Sequence, residues 1–408
     1  MSTNFPKGFF TNGLHCGIKK NGKNDLAIFY SYKPCVAAGM FTTNIFRAAP
    51  VIISEKKIKN KIYAIIANSG CANACTGKRG IIDAEKMCKL VADEIFVKPE
   101  NVLVASTGVI GQFLPIAKIE SGIKKLVTQN LTEMMPAVEG IMTTDTFPKL
   151  VSSKFRIGKS EVCIWGCAKG SGMIEPNMAC TERPVLSKVK GSRSATMLSF
   201  ILTDAAITKN ALSEALKKSV NKSFNCLTVD GDTSTNDTVL ILANAESKNK
   251  TISSGKDFQL FCSKLDEICV KLVKMLAMDG EGATKLITIN VQNVKNTFDA
   301  KKIAKTVANS PLVKTAIYGN DANWGRIVAA IGRSGVKVNS EKVDVSFGNL
   351  YVFKNGRPVN FSEIKAKNII SLKEVEINIK INTGKESATV YTCDFTEEYI
   401  KVNASYRS

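Results

Sequence analysis

The sequence has almost no histidine: His15 is the single one in 408 residues. A Ser–His or Cys–His catalytic pair would have to run through it. Its neighbour Cys16 completes a nominal dyad in GLHCGIKK, but adjacent residues of an extended segment point to opposite faces. An acyl-handling enzyme built on this chain would be better served by a nucleophile that brings its own base. An N-terminal threonine does so, because its α-amine can take the hydroxyl proton. Long hydrophobic runs are also missing. No stretch of about 18 apolar residues occurs, so no membrane-spanning helix is expected. The opening MSTNFPKGFFTNG lacks the layout of a signal peptide or an Arg-rich transit peptide, which makes the cytoplasm the default. The twelve cysteines include no Cys-x-x-Cys. Cys71/Cys75 and Cys163/Cys167 are four apart, but Gly and Ala surround both pairs, and reduced, mostly buried thiols are favoured over a zinc site. No metal is expected.

Acidic residues are outnumbered, with 36 Asp and Glu against 56 Lys and Arg, for a net charge of +20. A nucleic-acid partner is one reading. The lysines are spread along the chain without interleaved aromatics or a DNA- or RNA-binding motif, which favours a lysine-biased surface and no nucleic-acid partner. A hydrophobic share of 44% and a charged share of 23% suit a soluble globular protein, and the length suits two or three packed units.

Apolar runs predict strands at 61–67, 101–105, 162–167, from 196 onward, 226–229, 285–294, and near 374–382 and 388–394. Helices are predicted near 82–95, after Pro115, near 209–220 and at 257–278, the last with one apolar stripe from Phe258 to Leu276. Strands and helices alternate throughout, so the class is α/β or α+β. Between them lie seven loops denser in Gly, Asn, Thr and Asp than turns require. They are NSGCANACTG (68–77), STGVIG (106–111), TTDT (143–146), KGSGM (169–173), DGDTSTND (230–237), DGEGATK (279–285) and YGNDANWGR (318–326). Each alone is an ordinary turn composition; together they suit loops that offer N–H groups and hydroxyls to a small polar ligand. KGSGM does not have the spacing of a phosphate-binding P-loop.

KGSGMIEPNM at 169–178, followed by ATMLSFILTDA at 195–205, resembles the self-cleavage signature of the ornithine acetyltransferase family. NSGCANACTG, STGVIG, TTDTFPK, DGDTSTNDT, DGEGATK, YGNDANWGR and the closing VNASYRS resemble that family's other landmarks in order, so the resemblance spans about residues 5–408. It implies a layered αββα fold related to self-processing aminopeptidases. It also implies a precursor cut at an Ala–Thr bond into α and β chains that stay together as α2β2. The division is 1–195 for the α chain and 196–408 for the β chain, with 286–408 as a smaller C-terminal α/β unit. The reaction implied is transfer of acetyl from N-acetylornithine to glutamate through an acetyl-threonine, in arginine biosynthesis. No cofactor is implied; some members accept acetyl-CoA as a second acetyl source, and that choice stays open for this chain.

Carried over by motif, Thr196 is the nucleophile and Ala195–Thr196 the scissile bond. Thr107 and Gly108 match the oxyanion-hole pair, where loss of one donor typically costs about 3–4 kcal/mol of barrier. Thr143 or its neighbour Thr144, together with Lys169, Glu281, Asn403 and Ser408, match substrate-binding positions. Lys169 suits a substrate carboxylate and Glu281 a side-chain ammonium.

One departure stands out. In the family, Pro-Asn-Met runs almost directly into Ala-Thr; here sixteen extra residues, 179–194 (or 180–195, with Ala179 as the motif's alanine), intervene. Thr181 and Thr196 are both left as nucleophile candidates. Thr196 is favoured, because Pro184 would interrupt a central strand after Thr181, whereas an apolar run follows Thr196. Closing such a loop costs only about 2–3 kcal/mol, yet self-cleavage needs a held peptide. An uncleaved, inactive homologue and an N-terminal-threonine amidase or peptidase are therefore the alternatives. Cys71 stands where the family usually has Asn.

Overall fold

The computed structural model describes residues 4–128, 134–180 and 196–404. It divides into two compact units, Met1–Asn221 with Thr233–Leu272, and Lys222–Asp232 with Val273–Ser408. Both are mixed α/β, and each is built on its own sheet.

In the first unit the strands are β1 (Phe9–Leu14), β2 (Leu26–Thr42), β3 (Ile62–Cys71), β4 (Val102–Val109), β5 (Lys149–Ile157), β6 (Ser160–Lys169), β7 (Met178–Ala179), β8 (Leu198–Thr203) and β9 (Thr238–Ala243). They form one nine-stranded sheet in the order β4-β3-β2-β9-β8-β6-β5, with β1 and β7 also paired to β2. The helices are α1 (Ala49–Lys57), α2 (Gly77–Glu94), α3 (Ile116–Thr128), α4 (Met134–Ile141), α5 (Lys209–Lys222) and α6 (Gly255–Met278). Successive strand residues face opposite ways, and both faces are buried. Leu26, Ile28, Ala64, Ile66, Val102 and Val104 pack with Ile53, Met87, Val91, Ile119 and Ile123 of α1, α2 and α3. Ala27, Phe29, Ile65, Ala67, Leu103 and Ala105 pack on the other side with Phe200, Leu240 and the α4 residues Ala137, Val138 and Ile141.

The second unit holds β10 (Leu286–Val294), β11 (Asp344–Phe347), β12 (Leu350–Lys354), β13 (Arg357–Pro358), β14 (Glu374–Lys380) and β15 (Glu386–Cys393), in the order β13-β12-β11-β14-β10-β15. The helices α7 (Thr297–Ala308), α8 (Pro311–Tyr318), α9 (Trp324–Gly332), α10 (Glu363–Ile370) and α11 (Glu397–Ala404) complete it. Side-chain caps start several of them: Asn296, Ser310, Asn323 and Ser362 each accept from a backbone N–H three residues on.

Three expectations are revised. Residues 226–229 are not a strand: Phe224–Cys226 form a 3-10 turn, and Leu227 makes a single bridge to Tyr391. The run is too short to ladder before Asp230-Gly231, and Thr228 turns its hydroxyl to Asn309 at 2.6 Å. Helix α2 begins at Gly77, ahead of its apolar stripe, because Asn73 accepts from Thr76 and donates to the Gly80 carbonyl at the first turn. Finally, Asn68–Cys71 and Ser106–Val109 are strand, not loop. Their parallel ladder runs on through Asn68↔Ser106, Ser69↔Thr107 and Gly70↔Gly108, and it carries the polar residues into the interior. No described helix is long and apolar enough to cross a membrane.

Candidate active site

Strand β6 ends at Lys169, which lies opposite Leu198 at the start of β8. Thr196, two residues earlier, is therefore brought beside the end of β6. Its side chain is buried at 2% exposure. Its Oγ1 lies 2.8 Å from Ser234 Oγ, and its carbonyl accepts a 2.7 Å hydrogen bond from Lys169 Nζ. The same ammonium donates to Thr143 Oγ1 at 2.8 Å and to Thr107 Oγ1 at 3.2 Å. One fully buried lysine thus gathers Thr107, Thr143 and Thr196. A substrate carboxylate that reached Lys169 would have to displace one of these oxygens.

Lysine is rarely buried without a countercharge. Here the countercharge is Asp145, itself inside the protein. Its carboxylate lies 3.9 Å from Lys169 and 2.7 Å from Lys149, whose side chain is equally buried. It also accepts the N–H groups of Thr143 at 2.9 Å and Gly170 at 2.7 Å. Burial by itself would raise the pKa of Asp145; Lys169 and Lys149 outweigh it and hold the group down to about 2.

Gly108 is next to Thr107 and has φ +128°. A Cβ there would sit 2.3 Å from the Gly70 carbonyl carbon, so only glycine allows these two strands to approach. Asn236 binds the surrounding loops together, donating at 2.8 Å to the carbonyls of both Ala72 and Ser106. Asp237 accepts from Met197 N at 3.0 Å and Ser234 N at 3.2 Å, which clamps the segment that carries Thr196 to the one that carries Ser234. Cys71 is buried, and its thiol points to the Gln112 carbonyl. Burial pushes its pKa up, so it is a poor nucleophile.

Of the residues singled out from sequence, Thr107, Gly108, Thr143, Lys169 and Thr196 come together in the first unit. Thr144 lies beside them, with a buried hydroxyl oxygen that has no hydrogen-bond partner among the described residues. Glu281 and Asn403 come together in the second unit, where Asn403 Nδ2 donates to Glu281 Oε2 at 2.9 Å. Gly282 lets this loop pass close to the backbone of Tyr399. Ala195, Ser408 and Thr181 lie outside the described residues, as does most of the 179–194 insertion. Asn323 of YGNDANWGR is occupied as the α9 cap. Sequence reasoning did not single out Asp145, Lys149, Ser234, Asn236 or Asp237. The signal available was their place in TTDTFPK and DGDTSTND, two of the dense polar segments.

Among the described residues no histidine touches Thr196; exposed His15 bonds Lys23 and Asp25 instead. Thr196 is thus a buried hydroxyl with no imidazole beside it among the described residues, a setting in which the α-amine of an N-terminal threonine could serve as the base. The ArgJ family model matches residues 10–408. The chain is 48% identical over 403 residues to arginine biosynthesis bifunctional protein ArgJ 1 of Clostridium acetobutylicum, covering 97% of this chain and 95% of that protein. It is 46% identical over 411 residues to arginine biosynthesis bifunctional protein ArgJ of Thermotoga neapolitana, covering 99% of both. The solved structure of argJ from Bacillus halodurans is 42% identical, with a TM-score of 0.49 over 50% of this chain and 96% of that one. The chain belongs to the ArgJ family.

Proposed function

We propose that this protein is a self-processing ornithine acetyltransferase of arginine biosynthesis, with Thr196 as its acyl carrier. The observation that carries the reading is the buried Thr196 hydroxyl beside Ser234, with the Thr196 carbonyl on Lys169, in a chain matched by the ArgJ family along almost its whole length. In self-cleavage, Thr196 Oγ1 attacks the Ala195 carbonyl carbon and the peptide C–N bond breaks. Water then hydrolyses the resulting ester and leaves Thr196 with a free α-amine. In turnover that amine takes the Oγ1 proton as Oγ1 attacks the acetyl carbonyl of N-acetylornithine. The acetyl–nitrogen bond breaks, ornithine leaves with the proton, and acetyl-threonine remains. The amine of glutamate attacks this ester, N-acetylglutamate leaves, and Oγ1 recovers its proton.

Thr107 and Gly108 are the groups we assign to the oxyanion. Thr143, Thr144, Lys169, Glu281, Asn403 and Ser408 are assigned to the amino-acid substrate. The reaction needs no resident cofactor, because threonine itself holds the acetyl group. Acetyl-CoA, a thioester, is the second acetyl source we propose, in keeping with the name bifunctional carried by the relatives. The cut falls inside the first unit, between the paired strands β6 and β8; this supports fragments that stay together, and we propose an α2β2 assembly in the cytoplasm.

Intact mass with N-terminal sequencing tests the reading. Fragments 1–195 and 196–408, the second opening Thr-Met-Leu-Ser, are expected, along with acetyl transfer from N-acetylornithine to glutamate. A single uncut chain would mean that the insertion blocks processing, and an inactive homologue would replace the proposal. Cut protein that hydrolyses amides but does not acetylate glutamate would make it an amidase.

A further inference from the structure

We propose that Asp145 is a positioning residue for acetyl transfer: its buried carboxylate fixes the Lys169 ammonium against the Thr196 carbonyl. The proposal rests on the acetyl-transfer reading above.

The geometry is specific. Asp145 and Lys169 both have side chains with 0% exposure, 3.9 Å apart. The carboxylate also receives the N–H of Gly170, the residue after Lys169, and the N–H of Thr143, whose hydroxyl Lys169 binds. One anion therefore fixes both the backbone that carries the lysine and a partner that the lysine reaches. Burial alone would favour the neutral amine, and a neutral Lys169 could not donate all three of its hydrogen bonds. Asp145 supplies the opposing charge. Lys149, at 2.7 Å on β5, competes for the same carboxylate. Among the described residues, Lys19 also acts on the cluster and Asp237 lies on the adjoining segment; the Thr196 α-amine joins them once the chain is cut. Lys19 comes from the segment between β1 and β2 and donates to the carbonyls of Asn24 and Met142 at 2.6 and 2.8 Å. Burial draws its pKa down to about 8, and Asp25 stands behind it. Asp237 accepts from Met197 N.

The test is the pH profile of kcat/KM for acetyl transfer by the full-length, self-processed protein. Removing an opposite charge at this distance lowers a buried lysine's pKa by about 1–3 units. The alkaline limb of Asp145→Asn should therefore move down by at least one pH unit. Lys149→Met should move it up, because it leaves Asp145 to Lys169 alone. The double variant Asp145→Asn/Lys149→Met restores the charge count and should place the limb between those of the two single variants. Lys19→Met, which removes a second like charge that acts on Lys169, should also move the limb up, by less than Lys149→Met. If Asp145→Asn does not fold, the opposite shifts of Lys149→Met and of the double variant relative to it carry the test. A limb that stays put in every variant, or that moves only in Lys19→Met, overturns the proposal. A parent protein without acetyl transfer would overturn the acetyl-transfer reading itself, a result distinguishable from an unmoved limb.

Discussion

If Thr196 is the nucleophile we propose, Ser234→Ala isolates what its hydrogen bond to Ser234 is worth. Ser234 Oγ lies 2.8 Å from Thr196 Oγ1 and accepts from Asn236 N at 3.2 Å, all inside the protein. Without it the Thr196 hydroxyl is free to choose among three staggered rotamers, which costs about 0.6 kcal/mol of orientation (RT ln 3). A lost neutral hydrogen bond adds roughly 0.5–1.5 kcal/mol. The barrier should therefore rise by about 1–2 kcal/mol, which at about 1.36 kcal/mol per tenfold is roughly a 5- to 30-fold loss in rate. Single-turnover self-cleavage, followed by intact mass, and kcat for acetyl transfer should both fall in this range, with KM little changed, since Ser234 holds the nucleophile and not the substrate. A kcat within twofold of the parent, in protein that is cut normally, would refute the idea that Ser234 aims Thr196.

Gly108→Ala should give little soluble protein, or protein with a lowered melting midpoint and no transfer, because the new Cβ meets Gly70 backbone at 2.3 Å and φ is +128°; a folded, active variant would mean that the strands can part there. After the cut, fragments 1–195 and 196–408 should co-elute on size exclusion and separate only in strong denaturant, since β6 pairs with β8 and β2 with β9 across the division; separation in plain buffer would refute this. Asp25 is buried, and burial would raise its pKa, but the N–H groups of Cys16, Lys19 and Ile18 outweigh this and depress it. A depressed folded-state pKa contributes stability above the unfolded value of about 3.9, lost as pH falls through the folded value. Asp25→Asn should therefore melt well below the parent at pH 7, with the gap narrowing below about pH 4; a gap independent of pH would contradict it.

How far the fold could be read depended on whether each signal was local. The α6 stripe and the strands of β3, β4, β6 and β10 follow from apolar spacing over a single segment. The short run at 226–229 misled because one apolar stretch does not show whether a ladder partner is present. The stretches Asn68–Cys71 and Ser106–Val109 read as loops because polar residues usually mark loops; only their mutual pairing makes them strand.

The candidate site divides the same way. The sequence alone supported a mixed α/β class, disfavoured a histidine-based catalyst through the isolation of His15, and drew attention to Thr107, Gly108, Thr143, Lys169 and Thr196 through their motifs. That two of its many lysines, Lys149 and Lys169, lie wholly inside the protein around Asp145 was a decision of the tertiary structure. So was the meeting of Ser234 with Thr196, 38 positions apart. A charge's environment and a hydroxyl's partner are set by which strands lie side by side, and a buried lysine has the same letter as an exposed one until the chain has closed around it.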